Sequence, residues 1–117
     1  MTDQTDSELK GKVAIITGAG RMRGIGRGTA VALAQMGANI VVTGTGRDRA
    51  SFPQDEKDAG WRDIESTAEQ VESFGVKALP LVSNIADQSD VQRMVDAAVA
   101  EFGRLDIIVN NAAAPKG

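Results

Sequence analysis

The amino-acid sequence predicts an α/β fold: the first half of a doubly wound parallel sheet, with strands in the spatial order 3-2-1-4. Three observations carry this. Short apolar runs alternate with stretches of helical periodicity. A helix end, a glycine and then a strand recur at Met36-Gly37, Phe74-Gly75 and Phe102-Gly103. The link between the first strand and first helix, TGAGRMRGIGRG from Thr17 to Gly28, is rich in glycine. Strands separated by helices of this length need right-handed crossovers, and such crossovers make neighbouring strands parallel.

Taken in order, Met1 to Lys10 is polar and acidic and reads as a flexible, solvated tail, so the domain is expected from 11 to 117. Val13 to Ile16 is a continuous apolar run, as in a strand covered on both faces. The first helix begins near Ile25 and sets Ile25, Thr29, Ala32, Leu33 and Met36 along one face, with Gly37 as its C-terminal cap. Ile40 to Val42 supplies the second strand. A polar insert containing Pro53 follows from about 44 to 60, longer than the roughly 2–6 residues usual between strand and helix. A second helix, about Trp61 to Phe74, buries Ile64, Ala68 and Val71; Gly75 ends it, and Val76 to Val82 forms the third strand. In the third helix Ser89 and Gln92 have capping-box spacing, and Val91, Met94, Val95, Ala98, Val99 and Phe102 make one apolar face. Gly103 closes it, and Leu105 to Val109 forms a fourth strand, apolar on both faces and expected to be paired on both edges.

Composition narrows the function classes. A length of 117 residues suits one domain, and 42% apolar with 25% charged residues is an ordinary globular balance. The net charge of −3 gives no reason to expect nucleic acid or an anionic membrane as partner. No apolar run approaches the roughly 20 residues that span a bilayer, and the N-terminus does not look like a signal peptide. The sequence has no cysteine, which fits a cytoplasmic setting, and no histidine, which excludes the usual metal sites and His-based triads. It also has no tyrosine.

Strand, glycine-rich turn and helix together form the arrangement that holds a dinucleotide pyrophosphate. Glycine lets the backbone approach phosphate oxygens, and the helix start offers unpaired N–H groups and a positive dipole end. The general GxGxxG spacing is not met, because Arg23 stands at the third position after Gly20. Thr17-Gly18 and Gly24-Ile25-Gly26 instead resemble the two ends of TGxxxGxG, the turn of the short-chain dehydrogenase/reductase family, lengthened by two residues and carrying Arg21 and Arg23 between them. A plain glycine turn is the bland alternative. Its place between a buried strand and a helix weighs against that.

Further stretches extend the resemblance. At the second strand's tip a carboxylate would accept hydrogen bonds from the adenosine ribose and repel a 2′-phosphate. Gly44 stands where NAD-preferring relatives usually carry Asp, whereas Thr45, Arg47 and Arg23 are donors suited to a phosphate. This favours NADP, while Asp48 keeps NAD possible; that Arg47 and Arg49 merely solubilise the insert is the alternative. Asn84-Ile85-Ala86-Asp87 resembles the family's Asp-Val-x-Asp, which implies that Asn84, with Ile85 beside it, meets the adenine; an ordinary Asx-turn is the alternative. Asn110-Asn111-Ala112-Ala113 resembles Asn-Asn-Ala-Gly, which implies bracing of neighbouring strands and backbone beside the cofactor; a plain turn is the alternative. Phe52 and Trp61 of the insert either cover the adenosine end or a subunit contact, or, the favoured reading, tuck under the loop as a satellite cluster.

The resemblance runs from Lys10 to Lys116 and implies a Rossmann-like fold that passes hydride between nicotinamide and a carbonyl or alcohol carbon. It also implies a catalytic Ser and Tyr-x-x-x-Lys, which would follow the Asn-Asn-Ala motif and are not in the 117 residues. The expectation is the cofactor-binding half of an NAD(P)-dependent enzyme, truncated before its catalytic half and inactive alone, acting in complete form on a small carbonyl or alcohol. A homo-oligomer is expected through the open fourth strand. A stand-alone nucleotide-binding module without catalysis, or an interaction scaffold, are the alternatives.

Overall fold

The structure is a computed structural model and describes residues 8–111; Met1 to Ser7 and Ala112 to Gly117 lie outside the described residues, among them Ala112 of the expected cofactor set. The elements are β1 (Val13–Ile16), α1 (Ile25–Gln35), β2 (Asn39–Gly44), α2 (Gln54–Ala59), α3 (Ile64–Glu72), β3 (Ala78–Val82), α4 (Gln88–Phe102) and β4 (Ile107–Val109). The sheet has the expected order β3-β2-β1-β4 with every pair parallel. Ile15, for example, stands in register between Val41 and Ile108.

Alternation along the strands divides the core. Ala14 and Ile16 of β1 and Ile40 and Val42 of β2 turn to one face, where α1 and α3 meet them with Ala30, Ala34, Ile64, Ala68 and Val71. Val13, Ile15 and Val41 turn to the other, against Met94 and Ala98 of α4. Helices on both faces explain why β1 reads as an unbroken apolar run. Leu9, within the expected tail, packs on the α1–α3 side and donates its N–H to the Met36 carbonyl.

Several local expectations are corrected. The buried face of α1 is Gly26, Ala30 and Ala34, whereas Ala32 is exposed and Ile25 is 79% exposed. Of the expected stripe, Leu33 packs against the core as a partly buried neighbour; the fully buried positions are small residues, because this helix lies close to the sheet. A Cβ on Gly26 would run into the Gly18 carbonyl and come within 2.9 Å of Asn111 Nδ2. The insert is not featureless. It holds a 3-10 turn at Arg49–Ser51 and the short helix α2, which Gly60 ends in the left-handed conformation. Trp61 therefore precedes α3 instead of starting it.

The N-cap of α4 is Asp87, not Ser89: its carboxylate accepts from the Ser89 N–H at 2.9 Å and from the Ser89 hydroxyl at 2.7 Å. Of that helix's apolar face Met94 and Ala98 are buried, while Val99 is exposed. On β4, Ile108 is exposed, and among the described residues only one edge of the strand is paired, with β1.

Candidate functional site

At the carboxyl ends of the strands the chain opens a cleft of about 410 Å³. Gly18, Gly20, Arg21, Gly24 and Ile25 line it from the glycine turn, and Thr43 to Thr45 and Arg47 from β2 and beyond. Asp63 enters from the insert, Ser83 to Ala86 follow β3, and Asn111 follows β4. The crevice outside these strand ends is where open α/β sheets bind ligands.

The turn reaches this cleft in a held conformation. Gly18 has φ +64, the left-handed region, and lets the chain leave β1 sharply. Beyond it, two carbonyls of the turn are held by side chains from α3 and the segment before it. Ala19 C=O accepts the buried Thr67 hydroxyl at 2.7 Å, and Gly20 C=O accepts the Trp61 indole N–H at 2.6 Å and Arg47 Nη2 at 3.4 Å. The Met22 N–H donates to Glu56 Oε2 at 2.9 Å, and Arg23 pairs with Asp55, whose carboxyl that guanidinium holds below its usual range. A lengthened turn would otherwise be a loose loop. The insert satisfies its polar groups one by one. Phe52 is buried beneath Arg47, whose guanidinium carbon lies 4.5 Å from the ring centroid, and Trp61 is half-buried with its indole on Gly20, so neither ring stands out as an exposed cover.

Helix α1 then begins without a side-chain cap at Gly24 and without an acidic residue in its first turn. Its first N–H groups keep the partial positive charge that favours an anion. On the other flank, Asn110 Oδ1 accepts the Thr17 hydroxyl at 3.0 Å, Thr17 Oγ1 accepts the Asn111 N–H at 2.9 Å, and Asn111 Nδ2 donates to Gly18 C=O at 3.2 Å. The two amides join the ends of β1 and β4 under the turn.

The tip of β2 differs most from a reading of residues one at a time. Arg47, with its side chain 15% exposed, donates from Nε and Nη2 to Asp63 Oδ1 at 2.9 and 2.7 Å. Its Nη2 also lies 3.0 Å from Glu56 Oε1, an ion pair whose geometry makes no hydrogen bond. One guanidinium thus sits between two largely buried carboxylates. Asp63 is the sole non-glycine residue with positive φ among the described residues, at φ 62 and ψ −134. A backbone held there costs about 1–3 kcal/mol and needs surroundings that enforce it. Although it stands at the N-cap of α3, its side chain makes no capping hydrogen bond.

The sequence-derived candidates are therefore largely gathered: Gly18, Arg21, Gly24, Ile25, Thr45, Arg47, Asn84 and Ile85 line the cleft. Gly26 is packed beneath the turn, Asn110 braces β1, and Arg23 is 80% exposed at the outer side. Asn84 forms the Asx-turn, its Oδ1 accepting from the Ala86 N–H at 3.0 Å while its own N–H donates to Asp90 at 2.9 Å. Asp63 and Ser83 were missed. Neither lies in a recognisable spacing, and only the fold brings them to the strand ends. The Ser83 hydroxyl is buried without a hydrogen-bond partner among the described residues. Among the described residues there is no metal-binding cluster, and no helix is long and apolar enough to cross a membrane.

The residues present suit a dinucleotide: an uncapped helix start for the pyrophosphate, glycines that admit close approach, and an orphaned hydroxyl at the wall. Comparison with known proteins points the same way. A family model described as short chain dehydrogenase matches residues 12–117. The 12alpha-hydroxysteroid dehydrogenase of a Clostridium species is 39% identical over 108 residues, covering 89% of this chain and 37% of that protein. A crystal structure of a short chain dehydrogenase from Mycobacterium thermoresistibile is 34% identical at a TM-score of 0.76, over 93% of this chain and 36% of that one. Another from Mycobacterium paratuberculosis, bound to NAD, is 35% identical at a TM-score of 0.74, over 95% of this chain and 41% of that one. The chain thus spans well under half the length of these relatives.

Proposed function

This chain belongs to the short-chain dehydrogenase family, and on that premise we propose that it is the cofactor-binding part of a nicotinamide-dependent oxidoreductase. The observation that carries this is the glycine turn from Thr17 to Gly24, braced so that an uncapped helix start faces a cleft at the sheet's switch point. The nicotinamide ring supplies hydride transfer to or from a carbonyl or alcohol carbon. The chain's own residues bind and orient. Gly18, Gly24, Ile25 and the α1 start hold the pyrophosphate, with Arg21 adding charge at the cleft wall. Asn84 and Ile85 border the adenine, and Asn110 and Asn111 support the strand end beside the nicotinamide half. The proton-transferring Ser and Tyr-x-x-x-Lys of the family are not among these 117 residues, so the roles assigned to the residues present are binding and orientation.

Charge at the β2 tip bears on which dinucleotide is taken. NADP is the expectation from Thr45, Arg47 and Arg23. Both arginines already hold carboxylates, Arg47 two of them, and this moves the reading to NAD. NADP remains the second reading because Arg21 lines the cleft with no ion pair among the described residues. A homo-oligomer in a cytoplasmic setting completes the proposal; the oligomer rests on the β4 edge that is unpaired among the described residues, with Ile108 exposed upon it, and sedimentation showing only monomer would remove it.

Trp61 provides the direct test. It is the one tryptophan of the sequence and is hydrogen-bonded to Gly20 beside the cleft. Adding reduced dinucleotide should quench its emission saturably through energy transfer to the nicotinamide. An unchanged emission up to millimolar dinucleotide would reject the reading.

A further inference from the structure

Resting on that reading, we infer that the Asp63 carboxylate is the acceptor for the adenosine ribose hydroxyls and the group that turns away a 2′-phosphate, in place of a side chain that position 44 cannot carry.

Position 44 is closed by packing. A Cβ built on Gly44 would lie 2.8 Å from Ile64 Cγ2, nearer than such atoms approach, and 3.6 Å from Asp63 Oδ2. A carboxylate therefore stands beside the tip of β2, but it arrives through the insert rather than from the strand. The same residue closes Gly20 on its other side, where a Cβ would collide with the carboxylate. Two glycines, one in the turn and one at the strand tip, leave the room that Asp63 fills.

The carboxylate is also divided in a way that suits a ligand. Oδ1 receives both Arg47 donors, whereas Oδ2 is the oxygen turned toward Gly44. The side chain keeps 11% exposure and lines the cleft. Because Asp63 does not cap α3, although it occupies the N-cap, local helix chemistry does not account for its orientation. Its left-handed backbone turns the side chain back over the β2 tip.

Electrostatics then sets the sign of the selectivity. Arg47 contributes one positive charge between Asp63 and Glu56, so the cluster is net negative by one. A ribose diol donates two hydrogen bonds and carries no charge, which matches an acceptor of this kind. A 2′-phosphate would bring further negative charge to a site whose nearest cation is already paired.

The test is isothermal titration calorimetry of NAD and of NADP, with binding rather than turnover as the readout. The wild-type protein should bind NAD more tightly, by about 10-fold or more, the scale of one charge-assisted hydrogen bond. Asp63→Asn should weaken NAD and strengthen NADP, because it removes the charged acceptor and leaves Arg47 with Glu56 as its remaining carboxylate partner. These opposite changes are not what a general structural defect would produce. Asp63→Gly is the second variant; glycine accepts the positive φ, so the turn is kept without the carboxylate. Thermal melting reports that each variant is folded. Tighter NADP binding by the wild type, or an unchanged NAD-to-NADP ratio in a folded variant, would overturn the assignment to Asp63 while leaving dinucleotide binding intact. Failure of the wild type to bind either nucleotide would remove the cofactor reading and this inference together.

Discussion

The two flanks of the glycine turn are held by different chemistry. On the β2 side, the insert and α3 meet it with buried groups: Thr67 on the Ala19 carbonyl, Trp61 on Gly20, Glu56 on the Met22 N–H, and Arg47 clamped between Glu56 and Asp63. On the β4 side a short strand is tied by Thr17, Asn110 and Asn111, and at its start by Asp106, which accepts the Val13 N–H at 2.9 Å and an Arg104 fork at 2.8 and 2.9 Å. Thr17 itself is buried, but its partner Asn110 is exposed, as are Asp106 and Ile108. Buried polar groups that lose a partner cannot recover it from water, whereas exposed ones can. The β2 flank should therefore be stiff and intolerant of substitution, and the β4 flank adjustable.

The largest effect is expected where the charge is most buried. Arg47→Met strands Glu56 and Asp63, and a loss of about 3–5 kcal/mol in denaturant unfolding is expected. A loss below about 1 kcal/mol would mean that the insert opens and rehydrates its carboxylates, which would end the contrast between the flanks.

Matched hydroxyl deletions sharpen it. Thr67→Val leaves the Ala19 carbonyl buried without its donor and should cost about 1–3 kcal/mol. Thr17→Val on the opposite flank removes the acceptor of the half-buried Asn111 N–H but leaves the exposed Asn110 free to turn to water, and should cost less, about 0.5–1.5 kcal/mol. The reverse order in the same unfolding assay would place the rigid side at β4.

The smallest effect is a dependence on acid. Arg104, with the Val13 N–H, holds Asp106 down to about 2, against an ordinary 3.8. A carboxyl depressed in the folded state contributes stability that is fully present above its unfolded value and lost as pH falls through the folded one. The tie between β1 and β4 should accordingly weaken between about pH 4 and pH 2. The thermal midpoint of wild type minus that of Asp106→Asn, followed through this window, should shrink toward zero as the pH falls. A constant difference would show that the Asp106 charge does not hold the edge. Asp55 and Asp87 are also lowered, by Arg23 and by Ser89 respectively, so the single-site variant is needed to isolate the β4 term.

Strand order, parallel pairing and the position of the glycine turn were legible in the chain itself. Short apolar runs separated by helical stretches leave few other ways to bury both faces of a sheet. The packed face of α1 was not legible, because close approach selects Gly26, Ala30 and Ala34 for lacking bulk, and a hydrophobic pattern gives such residues little weight. Nor was α2, whose residues Gln54 to Ala59 are almost all polar and are retained by Glu56 and Asp55 reaching the turn.

What the sequence determined alone is whatever depends on neighbours along the chain: the periods of burial, the turns at glycine, and the donors set beside Gly18 and Gly24. What only the tertiary structure decided is the state of those donors. Arg47 reads as a free cation at a strand tip until Asp63, sixteen residues later, folds back onto it. The empty place at Gly44 reads as a missing acid until Ile64 and Asp63 are seen to fill it. Charge acts through space, so the electrostatics of this cleft was set when the insert closed over the turn.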